Sequence, residues 1–279
     1  MRLVTYRSDR GERAGVLRDE VVVDAWDALG GGGTSVRELL ASERLDELAG
    51  RIAGAEGLPL DGLALRPPVP DPEKILCIGL NYREHAAEAG IEPPESPTFF
   101  AKFRNALAAP GAEVPLPAAS EKVDYEAEVA FVVGRRAKDV EPSRALGHVG
   151  GLMLFNDLSA RDLQFATPQW MPGKVFDGSA PCGPALVTLD EAGPPDAIGF
   201  ELQLNGERMQ ASSTADLIFS IPELVARLSR LLTLEPGDVV ATGTPFGVGS
   251  TREPRVWLKG GDEIEISSPQ LGRLLTRLV

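Results

Sequence analysis

Asp124, Glu126 and Glu128 stand two residues apart at the head of an apolar run that Gly134 closes. The run reads as a β-strand, and side chains two apart on a strand share a face. Carboxylates crowded on one face repel each other unless something positive sits among them. A hard divalent cation, which takes oxygen ligands, is the simplest such object. The same spacing also describes a solvated acidic face on an edge strand. A further carboxylate, Asp157, follows the apolar stretch 151–155, a place where a charge without a partner is costly. Glu126, Glu128 and Asp157, completed by water, suit Mg2+ or Mn2+, and the absence of nearby His or Cys argues against zinc. Asp124 is expected to be a solvated neighbour outside this set.

Proton-transfer chemistry has one candidate centre. His85 is one of only two histidines, and Glu88 lies one helical turn on, within reach of a ring nitrogen. A carboxylate that holds one imidazole nitrogen leaves the other free to take a proton. Taken alone, such a pair more often describes a surface contact. Lys174 could hold a substrate carboxylate or offset a developing enolate, and Thr244, in Thr242-Gly243-Thr244, could offer a hydroxyl to an anion. Walker, nucleophile-elbow and dinucleotide motifs are absent from the sequence.

The elements that would carry these groups follow from patterning. The first 28 residues alternate in short stretches, as a small antiparallel meander does, and a helix follows Ser35. Four prolines within 63–72 mark a boundary, which divides the chain into a small domain at 1–70 and a main domain at 71–279. A buried strand is expected over 74–80, then a helix capped by Asn81 that carries His85 and Glu88. Strands are expected over 98–103 and 124–133, a helix at 145–149, and a long ordered loop over 166–184. Asn205-Gly206 signals a hairpin, and the clearest helix begins at Ser220. The many short strands without regular βαβ alternation give a β-rich α+β class.

With 279 residues, of which 43% are hydrophobic, a sizeable core is available. A formal net charge of −13 with no basic run argues against nucleic acid, whose phosphates need a lysine and arginine footprint. Cys77 and Cys182 are far apart and lack metal spacing, so they read as reduced thiols. No leader or membrane span is read in the sequence, and the expectation is a cytoplasmic protein without a membrane partner.

Together, six stretches resemble the fumarylacetoacetate hydrolase family: 79–88, 124–128, 156–164, 173–177, Gly183-Pro184 and 241–249. The resemblance covers about residues 74–279, and the first 70 resemble the variable N-terminal domain of bacterial members. It implies a mixed β-sandwich or roll, homodimeric as is usual in the family, with Mg2+ or Mn2+ held by Glu126, Glu128 and Asp157. His85 and Glu88 match the family's water-activating dyad and Lys174 its substrate-contacting lysine. Gln164 and Thr244 match substrate contacts, and Lys102, matching a lysine near the site, is expected among them. The implied substrate is a small anionic 2-oxo acid. The activity expected first is cleavage of a C–C bond in an acylpyruvate-type β-diketo acid, such as fumarylpyruvate or acetylpyruvate. Isomerase, tautomerase or decarboxylase action on 2-oxo diacids such as oxaloacetate or carboxymethyl-hydroxymuconate is the alternative, and a non-catalytic small-molecule binder the third reading.

Overall fold

A computed structural model describes residues 1–279 apart from Ala89, Ile91 and Pro93. Its backbone is a large mixed sheet, a five-stranded sheet and a two-stranded ribbon, which is the β-rich α+β class expected. At the centre of the large sheet, Ala127–Val133 lies antiparallel to Val149–Asn156 on one side and to Val239–Ala241 on the other. Beyond Val239–Ala241 come Ile75–Gly79, in parallel, and then Thr98–Lys102. On the far side of Val149–Asn156, Ala180–Val187 pairs with Arg2–Ser8, so the N-terminal meander extends the same sheet.

Every residue of Ala127–Val133 is buried, because both faces of this strand are covered. Val129, Phe131 and Val133 face one apolar cluster, shared with the five-stranded sheet and the Ile221–Leu231 helix. Ala130 and Val132 face a second cluster, shared with the N-terminal helices. That helix begins where Glu223 Oε2 accepts the Ser220 N–H at 2.9 Å, and it buries Ile221, Leu224, Val225 and Leu228. Each such side chain contributes about 1.5–3 kcal/mol on burial. At Asn205-Gly206 both residues have positive φ, as the two-residue hairpin joining Gly199–Leu204 to Glu207–Ser213 requires.

Four local expectations change, the first being that the loop expected over 166–184 gives way at residue 180 to the strand Ala180–Val187. The strand expected over 124–133 is broken at Tyr125 and Glu126, because successive backbone N–H groups donate to side chains instead of a neighbouring strand. Tyr125 N donates to Asp124 Oδ1, Glu126 N to Asn156 Oδ1 and Ala127 N to Gln210 Oε1. Asn81 does not cap the Arg83–Glu88 helix; it is buried and ties Phe219 to the carbonyl of Thr242. The helix expected at 145–149 is a 3-10 segment, Pro142–His148. Among the described residues, no helix is long and apolar enough to cross a membrane.

Candidate metal centre and active site

The strand ends and the loops after them converge on one cavity of about 420 Å3. Glu126 and Glu128 reach it from the start of the central strand, Asp157 from the end of its neighbour, and Lys174 from the loop after Met171–Gly173. One carboxylate oxygen from each of Glu126, Glu128 and Asp157 lies within 4.8 Å of the others, and all three residues are buried. This all-oxygen donor set fits a hard divalent cation.

Charge balance makes the same point. Four buried carboxylates, those of Asp124, Glu126, Glu128 and Asp157, meet three buried cations, those of Lys102, Arg161 and Lys174. Lys174 Nζ donates to Glu126 Oε2 and Asp157 Oδ2, each at 2.8 Å. Arg161 Nη1 lies 2.7 Å from Glu126 Oε1. Burial would raise the Glu126 carboxyl, but Lys174 and Arg161 outweigh it and hold its pKa down at about 2. Glu128 has no such help: among the described residues it makes no ion pair and accepts only the Gly243 N–H, at 2.8 Å. Burial first, and then the charges of Asp157 and Glu126, push its pKa well above the carboxylate range. Asp157 Oδ1 lies 2.8 Å from Lys102 Nζ without the alignment of a hydrogen bond, so a lone pair remains there. The cluster is short of one positive charge, and Glu128 and Asp157 are where it is short.

His85 lines the same cavity from the Arg83–Glu88 helix. Its Nδ1 lies 3.1 Å from Glu88 Oε2, while Glu88 Oε1 accepts the Gly247 N–H at 3.1 Å and the Thr251 hydroxyl at 2.7 Å. Glu88 thus ties the helix to the glycine-rich loop and orients the ring. If Nδ1–H donates to Glu88, Nε2 is the ring nitrogen left open to accept a proton.

Gln164 and Thr244 also line the cavity. Gln164 Oε1 accepts from Arg161 Nη1 at 2.9 Å, and the Thr244 hydroxyl donates to Ala127 O at 3.0 Å. Lys102, expected among the substrate contacts, does not line it. Its ammonium is buried behind Asp157, with Ser179 O and Oγ each at 3.0 Å and Lys174 O also accepting from it. It is a buried clamp because these three oxygens and Leu158 O, at 3.4 Å, already accept its protons while Asp157 balances its charge.

Asp124 is not a solvated neighbour. It is fully buried, accepting the N–H groups of Gly249 at 2.7 Å and Ser250 at 3.0 Å and Arg161 Nε at 2.8 Å. Its oxygens are taken up by the 249–250 turn and Arg161, and Asp124 is not one of the three residues that could share a metal. Arg161 is the residue that sequence reading missed. It bridges Asp124, Glu126 and Gln164, and its signal was present as a lone arginine three residues before Gln164 in an acid-rich motif. Phe100, from Thr98–Lys102, and Phe165 and Trp170 add apolar wall to the cavity.

Comparison with known proteins places the chain in a family. Residues 74–279 match the family described as fumarylacetoacetate (FAA) hydrolase C-terminal. The bovine mitochondrial oxaloacetate tautomerase FAHD2B is 40% identical over 224 residues, 80% of this chain and 71% of that protein. Among solved structures, a 5-carboxymethyl-2-hydroxymuconate delta-isomerase from Mycobacterium smegmatis superposes with a TM-score of 0.82 at 30% identity, covering 100% of this chain and 99% of that one. A maleylpyruvate hydrolase from Sphingobium sp. SYK-6, in complex with manganese(II) and pyruvate, gives 0.83 at 28% identity with the same coverage. The chain belongs to the fumarylacetoacetate hydrolase family of enzymes.

Proposed function

We propose that this protein is a tautomerase of 2-oxo diacids of the oxaloacetate type, assisted by Mg2+ or Mn2+ at Glu126, Glu128 and Asp157. The observation that carries the reading is one imidazole, His85, oriented through Nδ1 and lining the same cavity as the buried acidic triad. The 40% identity to an oxaloacetate tautomerase supports this reaction above its rivals. A divalent cation, when bound, supplies Lewis-acid polarisation of a 2-oxo carboxylate.

The chain's own groups then account for the proton traffic. His85 Nε2 removes a proton from the carbon beside the carbonyl and returns it to the oxygen, so the keto and enol forms interconvert with no net gain or loss of atoms. Glu88 keeps the ring in that tautomer and offsets the charge of the imidazolium. Lys174, buried against Glu126 and Asp157, keeps its proton and offsets charge developing on the enolate oxygen. Burial alone would lower the Lys174 pKa, but Asp157 and Glu126 raise it.

Hydrolysis of an acylpyruvate C–C bond is the second reading, supported by the likeness to a maleylpyruvate hydrolase. There His85 would take its proton from water. The deciding experiment follows the enol band of oxaloacetate by ultraviolet absorbance with Mn2+ or with chelator, beside a panel of acylpyruvates. Cation-dependent enol–keto exchange that falls by about 10²–10⁴ in His85→Ala, with Mn2+ binding retained, is expected. An unchanged exchange rate in that variant removes His85 from the mechanism, and turnover of acylpyruvates alone establishes the hydrolase. The homodimer and the cytoplasmic location belong to the same proposal; light scattering of the purified chain and fractionation of its host test them.

A further inference from the structure

Five basic side chains line the cavity: His85, Lys122, Arg161, Lys174 and Arg255. Three are committed. His85 is held by Glu88, Arg161 by Asp124, Glu126 and Gln164, and Lys174 by Glu126 and Asp157. Lys122 and Arg255 differ from these: both are exposed, and among the described residues neither makes an ion pair.

Their backbones are fastened side by side. Lys122 O accepts the Arg161 N–H at 2.9 Å, which ties it to the segment carrying the acidic site. Leu258 N donates to the next residue, Val123 O, at 2.8 Å, and Val256 N donates to Gly249 O at 3.0 Å. The strip from Arg255 to Leu258 therefore runs along the Lys122–Val123 edge and brings Trp257 onto the cavity wall. Asp162 also lines the cavity, and its Oδ1 already accepts from Ser120 Oγ at 2.5 Å and from Leu163 N at 3.0 Å.

The cavity is thus electrically two-ended. Its buried end is a carboxylate cluster that needs a cation, and its exposed end carries two uncommitted cations on a chain of net charge −13. Such a protein repels a dianion in bulk solution, so local cations at the entrance decide whether a diacid enters. We propose that Lys122 and Arg255 form the subsite for the distal carboxylate of a 2-oxo dicarboxylate whose 2-oxo acid end lies at the acidic triad. This rests on the tautomerase reading for the class of substrate, and it adds the residues that separate diacids from monoacids. The guanidinium fork of Arg255 can take a carboxylate through two hydrogen bonds, with Lys122 supplying a second charge.

The test is a calorimetric titration of the Mn2+-loaded chain with 2-oxo dicarboxylates of four to six carbons, each beside the 2-oxo monocarboxylate of equal length. The wild type is expected to bind at least one diacid about tenfold or more tightly than its monoacid partner. In the Lys122→Gln/Arg255→Gln double variant the ratio falls toward one. A wild-type ratio near one, or a ratio the double variant leaves intact, overturns the subsite. Because the readout is affinity, the two readings separate: diacid preference lost in the variant, in a chain without tautomerase activity, retains the subsite and removes the function proposed above. Tautomerase activity with an unaltered ratio does the reverse.

Discussion

Lys174 Nζ lies 2.8 Å from Glu126 Oε2, with both side chains buried, and the same nitrogen lies 2.8 Å from Asp157 Oδ2. One ammonium therefore bridges two of the three carboxylates of the acidic triad. Replacing Lys174 by Met removes the charge and keeps the volume. Breaking a buried pair costs about 3–5 kcal/mol because the partner charge is left unpaired. Metal-free Lys174→Met is expected to lose about that much in denaturant unfolding, and saturating Mn2+ should narrow the gap to wild type by neutralising the stranded carboxylates. Equal stability of the two metal-free proteins would show that the bridge is not formed.

Glu128 behaves in the opposite way. With its pKa pushed well above the carboxylate range by burial and by the charges of Asp157 and Glu126, it gains little from ionising in the metal-free protein. Glu128→Gln is expected to change metal-free stability by no more than about 1 kcal/mol. The rise in melting temperature on adding Mn2+ should disappear in the same variant. Thermal melts with chelator and with Mn2+ check both halves, and a Mn2+ response that survives would take Glu128 out of the ligand set.

Glu88 sets a pH dependence with a definite sign. Burial would raise its pKa, but the bonds from His85, Thr251 and the Gly247 N–H outweigh it and hold the pKa below the ordinary 4.5. A carboxyl with a depressed folded-state pKa adds stability that is fully present above its unfolded pKa and is lost as pH falls through the folded one. The difference in melting temperature between wild type and Glu88→Gln is therefore expected to be full above about pH 4.5 and to shrink below it. A difference that grows on acidification would mean that the helix is not tied to the 247–251 loop through an ionised Glu88.

Asp124 is expected to matter for stability without binding the metal. Its carboxylate holds two successive N–H groups of the 249–250 turn and the guanidinium of Arg161. Asp124→Asn leaves Arg161 short of a buried partner and should cost about 3–5 kcal/mol in chemical denaturation. A cost below about 1 kcal/mol, the scale of an exposed pair, would show that the clamp is solvated.

Much of the chemistry was readable before any fold was known, because oxygen donors and an imidazole are properties of residue type. Glu126, Glu128 and Asp157 were read as a group from the carboxylates at one strand's start and another's end, and they converge within 4.8 Å. The short strands and the Asn205-Gly206 turn were readable from local patterning, since φ preference and side-chain alternation act within a few residues. Asp124 was misread as solvated for the converse reason. Alternation alone puts Asp124 beside Glu126, but Tyr125 N, Glu126 N and Ala127 N bond to side chains and break the strand between them.

Tertiary structure decided which charges are spent and which are free. Asn81 is tied to Thr242 across 161 positions, and Gly243 N is brought to Glu128 across 115. Pairings at that separation depend on the register of a sheet assembled from distant strands, which no local window records. The same assembly commits Arg161 and Lys174 to buried carboxylates and leaves Lys122 and Arg255 uncommitted at the cavity entrance. Sequence named the candidate groups because chemistry resides in side chains; the fold assigned their partners because the energy of a charge is set by what surrounds it.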